Sequence, residues 1–375
     1  MKVLHICNNF CGSKVHANLY DELDKQGVQQ TVYTYYRDPS FEGKNKFEAQ
    51  STDFVYRPIL STYHRVLYHK KIHDVYADLK SQLSQVIPNY DLVHAVTMFS
   101  DGAVAYRLYK DFGIPYIISV RNTDINEFLE VAHHTWSEGM QVLRNAKKIV
   151  FISKAPKEKF CRHFLVKRIL PKISEKMIIQ PNGVDDYWLD HIVKGEQRKN
   201  NNIIYVGKFD MNKNVVRLVD AVLSLRDEFK DIHLHLVGGG GSREEKIKAL
   251  VTAHPDTLTY HGKIFDKDVL KELYNKCSVF AMPSIHETFG LVYIEAMTQG
   301  LAVLYTKNQG IDGLFDEQVG AAVQALSTDS IKDGLRKILK NRRNYQGAQN
   351  VDFSRFHWQD IANTYKDIYE KVING

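Results

Sequence analysis

The chain has 375 residues, 44% hydrophobic and 25% charged, with a formal net charge of +6. That length suits two domains with separate cores, and the composition is that of a globular protein. It excludes a membrane-spanning chain, since no apolar run nears the roughly 18–20 residues a spanning helix needs. Four cysteines, Cys7, Cys11, Cys161 and Cys277, are too few and too scattered for a disulfide scaffold or a zinc site, which points to a reducing, cytoplasmic setting. The mild positive charge suits phosphate-bearing ligands or an anionic membrane face. Without zinc-finger spacing or an Arg-rich tail, no nucleic-acid partner is expected.

In chain order, residues 3–7 read as a first strand rather than a signal peptide. A polar loop with Gly12 follows, then a helix over 15–25 and a strand over 32–36. Strands at 92–95, 116–120 and 148–152 continue the series, with a helix over 103–111 between them. The polar stretch 191–200 reads as a linker. A second series then runs through 203–206, 232–237, 258–261, 279–282 and 302–305, and an amphipathic helix covers 358–372. Alternating β and α elements predict parallel sheets with helices on both faces. The expected organisation is a first domain over 1–190, joined by the last helix (356–375), and a second over 200–350. In such sheets ligands bind beyond the carboxyl ends of the strands.

The most informative segment is 283–297. A strand ends at Pro283, Glu287 lies in the loop that follows, Gly290 opens a helix, and Glu295 sits within the helix's apolar run. A helix N-terminus offers free N–H groups to a phosphate. A carboxylate among apolar neighbours is costly unless something polar meets it, and ligand hydroxyls would serve. The plain alternative makes Glu287 an ordinary acid at a helix start and Glu295 a solvated helix residue. After the strand at 203–206, Gly207 lets a ligand approach the backbone, and Lys208 and Lys213 could neutralise a diphosphate; as loop lysines they could equally be solvated. Gly238 to Gly241 follow another strand, but Arg243 stands where a dinucleotide fingerprint needs its third glycine, so a tight turn or a loop near phosphate fits better. Arg121 and Asp124 end a strand of the first domain, as cleft residues or as a turn with an ion pair. Residues 178–180 read as a strand that ends in a Pro181-Asn182-Gly183 turn.

Taken together the segments resemble glycosyltransferase family 4, retaining enzymes of the GT-B fold, over almost the whole chain. Glu287 and Glu295 match its E-x7-E motif, inside Pro-Ser-x-x-Glu-x-Phe-Gly-Leu-x-x-x-Glu-Ala-Met. Gly207, Lys208 and Lys213 resemble its G-R-x4-K, Gly12 falls at its first-domain glycine loop, and 181–185 is another habitual string. Three departures stand out: Arg121 where the family often has His, Ser13 for a second loop glycine, and Lys208 for Arg, which keeps the charge but loses the bidentate fork.

The resemblance implies two doubly wound Rossmann-like domains facing across a cleft, with the last helix crossing back to the first. It implies that Glu295 holds the ribose, Glu287 the donor sugar, and Lys208 and Lys213 the diphosphate. Phe289, Gly290 and Leu291 would lie beside the sugar and diphosphate, Ile264 near the base, and Asp124, with Arg121 and Gly12, would reach the donor from the first domain. The donor would be a UDP- or GDP-linked sugar, with no further cofactor and no metal. The acceptor would be a glycan or lipid-linked sugar in cell-surface polysaccharide assembly. Two rivals are a non-catalytic GT-B partner subunit, disfavoured by the presence of all four charged residues, and a nicotinamide oxidoreductase resting on the glycine run alone. Residues 144–172 carry ten Lys or Arg against one acid, Glu158, with Phe160, Phe164 and Ile169 interleaved. This reads either as a peripheral face against anionic lipid on the inner membrane side or as a solvated basic helix.

Overall fold

The computed structural model describes residues 1–194 and 198–375. Gly195, Glu196 and Gln197, inside the stretch expected as a linker, lie outside the described residues. The chain divides into two compact units. The first comprises Met1–Ile152, Pro156–Gly183 and Trp358–Gly375, the second Ser153–Ala155 and Val184–His357.

The first unit holds seven strands: β1 (Lys2–Ile6), β2 (Gln29–Tyr35), β3 (Thr52–Arg57), β4 (Leu92–Ala95), β5 (Tyr116–Ser119), β6 (Lys148–Phe151) and β7 (Met177–Ile179). Their order is β3-β2-β1-β4-β5-β6-β7, and every pairing is parallel. β4 and β5 are buried along their whole length, as a parallel sheet covered on both faces requires. The pleat sends alternate residues to two apolar layers. Leu4, Ile6 and Tyr33 enter one, with the helices Tyr68–Leu83 and Ser100–Phe112. Val3, Val32 and Leu92 enter the other, with the helices Lys14–Lys25 and Trp358–Asn374. Trp358, Ile361, Tyr365 and Tyr369 of the last helix fill that second layer, and the Tyr369 hydroxyl meets His94 Nδ1 of β4 at 2.8 Å.

The second unit holds β8 (Asn202–Gly207), β9 (His233–Gly238), β10 (Leu258–Gly262), β11 (Val279–Ala281), β12 (Ala302–Thr306) and β13 (Gly320–Val323), in the parallel order β10-β9-β8-β11-β12-β13. The short helix Asp186–Asp190 groups with this unit because Trp188 packs against Tyr274 and Lys267 pairs with Asp185 at 2.5 Å. In each sheet the strand order reverses once, between β1 and β4 and between β8 and β11. Loops leaving the two strands at such a switch point diverge and open a crevice for ligands.

Two strands were not expected from the sequence. β3 is an edge strand whose residues are mostly half-buried, so its alternation is weak. β13 reads Gly-Ala-Ala-Val, mostly residues of low strand propensity, and is also an edge. The basic stretch after Arg144 is not one face. Phe160 and Ile169 are buried in the core, while Phe164 is 50% exposed and carries Arg168 over its ring. The expected aromatic interleaving therefore reduces to one exposed ring. Among the described residues no helix is long and apolar enough to cross a membrane.

Candidate active site

The second unit's switch point assembles most of the residues singled out in its sequence. The loop after β8 carries Gly207, Lys208 and Lys213; the loop after β11 carries Glu287, Phe289 and Gly290. The two loops are stitched together. Ile285 N donates to Asn212 O (2.7 Å), His286 N to Asn212 Oδ1 (3.0 Å), and Asn212 Nδ2 to His286 O (2.9 Å). Asn214, in the left-handed region at φ 59°, starts the helix Val215–Leu223 and donates to Pro283 O and Ala325 O. These bonds bring Lys213 Nζ to 2.7 Å from Glu287 Oε2, both side chains being largely shielded from water.

Glu287 is held from a third side by the loop after β12. Its N–H donates to Gln309 Oε1 (3.2 Å), and its carbonyl accepts from Gly310 N (3.0 Å). Gly310 is itself left-handed, and a Cβ there would stand 3.0 Å from Glu287 Cγ. Sequence reasoning missed Asn212, Gln309 and Gly310. The signal available was position: each follows a strand at its carboxyl end, beside the reversal.

Gly290 (φ 79°) caps the helix Leu291–Thr298, and a Cβ would collide with the Tyr293 ring at 2.5 Å. Phe289 is buried, with its ring 6.3 Å from that of Phe356, so its backbone rather than its ring is available to a ligand. Leu291 is half-buried. Glu295, one helical stretch further, is half-buried, and its carboxylate has no hydrogen-bond partner among the described residues. Burial raises its pKa to about 7, the nearby Asp185 charge adds to this, and Lys267 partly offsets it. An unpartnered carboxyl of this kind, on a helix that starts at the crevice, is available to hydroxyl donors. Lys208 is exposed, and its ammonium has no partner among the described residues. Ile264 is half-buried just past β10, beside Phe265, which is 88% exposed.

The glycine run forms a tight turn. Gly238 to Gly241 all have positive φ, and a Cβ on Gly238 would lie 1.8 Å from Gly207 O. Phe209 N donates to Gly240 O and Arg243 N to Phe209 O, so the run buttresses the lysine loop. The Gly240 N–H is taken by Glu244 Oε2 at 2.5 Å. An amide already bound to a carboxylate is not free for a dinucleotide phosphate.

In the first unit, Asp124 is fully buried and engaged by backbone amides. Its carboxylate accepts from Met98 N (3.1 Å), Phe99 N (3.0 Å) and Arg121 N (2.8 Å), bracing the start of the helix Ser100–Phe112. Burial pushes its pKa up to about 6 despite those bonds. Each of its oxygens accepts at least one backbone hydrogen bond, so it braces the loop that carries Arg121. It begins a π-helical turn, Asp124–Leu129. Arg121 is half-buried and donates from Nε to Val96 O (3.2 Å). Gly12 is exposed, and a Cβ there would meet Asn9 Oδ1 at 2.4 Å. Among the described residues no group of three or more His, Cys, Asp or Glu is clustered as a metal site needs.

The sequence matches two family models end to end: Glycosyltransferase Family 4 over residues 12–187 and Glycosyl transferases group 1 over 186–351. It is 28% identical over 205 residues to the phosphatidyl-myo-inositol mannosyltransferase of Mycobacterium tuberculosis, a match spanning 51% of this chain and 53% of that one. The fold is similar to that of the sucrose-phosphate synthase from Thermosynechococcus elongatus (TM-score 0.75, 19% identity, 100% and 99% of the two chains). It is likewise similar to Anabaena HepE, solved in complex with UDP (TM-score 0.71, 15% identity, 99% and 100% of the two chains). Two parallel-sheet α/β units, loops meeting at a switch point and both halves of the family pattern lead to one assignment: the chain belongs to glycosyltransferase family 4 and has the GT-B fold.

Proposed function

We propose that this glycosyltransferase moves a hexose from a UDP- or GDP-linked donor to a glycan or lipid-linked acceptor with retention of configuration, without a metal, in cell-surface polysaccharide assembly. The Lys213–Glu287 pair carries this reading. A diphosphate entering the crevice competes with Glu287 for Lys213. Glu287 is then released to accept hydrogen bonds from sugar hydroxyls, and Lys213, joined by Lys208, balances the charge that grows on the leaving diphosphate. The Phe289 and Gly290 amides, at the start of the helix, add donors. Glu295 takes the ribose hydroxyls, and Ile264 packs near the base. Asp124 supports the first-unit loop that carries Arg121.

Retention fits front-face attack, in which the departing phosphate oxygen accepts the acceptor's proton and no enzyme carboxylate attacks the sugar. Catalysis then rests on positioning and on cation stabilisation. The UDP bound by HepE supports a uridine donor, and the mycobacterial relative's name supports a lipid-linked acceptor.

The test is a hydrolysis and transfer screen over UDP-, GDP- and ADP-sugars in EDTA, with the anomer of the first product read by NMR. Turnover of one donor in EDTA with the donor's anomeric configuration kept is expected. An inverted product, or activity restored only by Mn²⁺ or Mg²⁺, overturns the reading.

A further inference from the structure

The first unit has its own crevice at its own switch point, and of the residues given roles above only Asp124 lines it. A cavity of about 570 Å³ opens over the carboxyl ends of β1, β2, β4 and β5. Asn8 follows β1, Arg37 follows β2, and Thr97 and Ser100 follow β4; Lys71 enters from the helix Tyr68–Leu83 and Arg65 from the turn before it.

The electrostatics are unbalanced. Lys71 is half-buried, and burial lowers its pKa although Asp101 and Asp124 attract it. Its ammonium makes one hydrogen bond, to Ser100 Oγ at 3.0 Å. Neither nearby acid is its ion-pair partner. Asp101 accepts from the Tyr35 hydroxyl (2.8 Å) and Thr97 Oγ1 (3.0 Å), with its pKa raised by burial to about 7. Asp124 is held by the three backbone amides described above. Arg37 Nε is buried and has no partner among the described residues. Arg65 is exposed, also without an ion pair among them. The acid not so engaged on the cavity wall is Glu127, which is exposed on the π-helical turn. A buried guanidinium nitrogen and a partly desolvated ammonium facing one hollow without an anion are costly, and an anionic ligand relieves both.

We infer that this cavity is the acceptor's seat and that the acceptor carries a phosphate, bound between Arg37 and Lys71. Three cations on one cavity wall, Arg37, Arg65 and Lys71, match the three oxygens of a phosphoryl group better than the hydroxyls of a neutral glycan. An adjoining apolar hollow of about 530 Å³, which shares Val66 and Tyr68 with the cavity, exposes Tyr63 (46%), Val66 (76%) and Leu67 (52%). A phosphate attached to a lipid places its chain there; a soluble sugar phosphate leaves it open. The inference rests on the glycosyltransferase reading and specifies its acceptor.

The test uses the full chain held saturated with the nucleotide it binds, so that the donor site is occupied. Glycerol 3-phosphate and glycerol are titrated by calorimetry, and phosphatidic acid and phosphatidylcholine vesicles are compared by co-sedimentation. The wild type is set against Arg37→Gln and Lys71→Met, with Lys110→Gln, an exposed lysine outside the cavity, as the charge-matched control. Binding of the phosphate-bearing probe alone is expected, weakened roughly ten-fold or more in each cavity variant and unchanged in the control. Binding of glycerol 3-phosphate assigns a soluble phosphate, and binding of the phosphatidic acid vesicles alone assigns a lipid phosphate. Binding of neither, or equal binding by variants and wild type, overturns the inference. Nucleotide affinity and melting temperature are read on every variant. A wild type that binds no nucleotide defeats the glycosyltransferase reading itself, whereas intact nucleotide binding without phosphate dependence defeats only the acceptor assignment. If Lys71→Met does not fold, Arg37→Gln alone decides, since its guanidinium makes no hydrogen bond among the described residues whose loss would unfold the unit.

Discussion

Lys213 Nζ and Glu287 Oε2 lie 2.7 Å apart, although 74 residues separate them in the chain. The pair is set by backbone contacts of neighbouring residues, Asn212 with His286 and Glu287 with Gly310, so neither side chain has to search for the other. Lys213→Met removes the cation proposed to balance the leaving group and frees Glu287 at the same time. Turnover with the preferred donor is expected to fall about 100- to 1,000-fold, with a smaller loss in KM. Glu287→Gln keeps the shape and should lower kcat with little change in nucleotide affinity. Steady-state kinetics and nucleotide titration on both variants check this. A Lys213→Met enzyme with wild-type kcat would remove Lys213 from the machinery.

If Glu295 holds the ribose as proposed, nucleotide binding should depend on pH. In the free protein its pKa is raised to about 7, so below that pH it is largely protonated and accepts ribose hydroxyls poorly. Affinity for the nucleotide should rise between about pH 6 and pH 8 and level off above. Glu295→Gln should bind roughly ten-fold more weakly at pH 8 and lose the pH dependence. Calorimetry at several pH values tests both. A variant that keeps the wild-type slope places the titrating group elsewhere.

The first unit should weaken in acid through its buried imidazoles. His5 and His16 are buried neutral, with pKa lowered from 6.5 to about 3, and burial lowers His94 well below its usual value too. A depressed folded pKa gives stability that is complete above the unfolded value near 6.5. It is lost as the pH falls from there toward about 3, because the unfolded chain takes up protons the folded one refuses. Asp101 and Asp124 act in the opposite sense: with folded pKa values raised to about 7 and 6, they favour folding at low pH and lose that contribution as the pH rises through those values. The clean measurement is therefore a difference. Urea midpoints of wild type and His94→Gln between pH 7 and pH 5 should converge as the pH falls.

The glycine turn offers a backbone test. Gly238→Ala puts a Cβ 1.8 Å from Gly207 O at a φ of 133°, and should cost more than about 3 kcal/mol, or prevent folding. Gly262→Ala, at φ 70° with open space around it, should cost only about 1–2 kcal/mol. Thermal denaturation ranks the two, and equal losses would contradict the close approach of β8 and β9.

Much of this was legible before any coordinates, for identifiable reasons. The strands that cross the sheet centres are mostly apolar runs, and β4 was read at its full extent. The edge strands β3 and β13 were not legible, since one is half-exposed and the other is made largely of Gly and Ala. Glu295 declared itself by standing among apolar residues, and its carboxylate lacks a hydrogen-bond partner among the described residues. Asp124 also looked like a ligand residue; its backbone partners are amides 25 and 26 positions earlier and three before it, which no local pattern announces. Lys71 and Arg37 drew no notice at all: each is a single cation in an ordinary helix or loop until the sheet brings the ends of β1, β2 and β4 together.

The last helix has a consequence for biosynthesis. Because Trp358, Ile361, Tyr365 and Tyr369 complete one layer of the first unit's core, that unit stays unfinished until the ribosome has made everything through Val372. The second unit, contiguous but for three residues, can close earlier. In the interval the layer that holds Val3, Tyr20 and Val32 is covered only by the helix Lys14–Lys25, so a chain cut short before Trp358 presents chaperones and proteases with a partly open apolar face on its first unit.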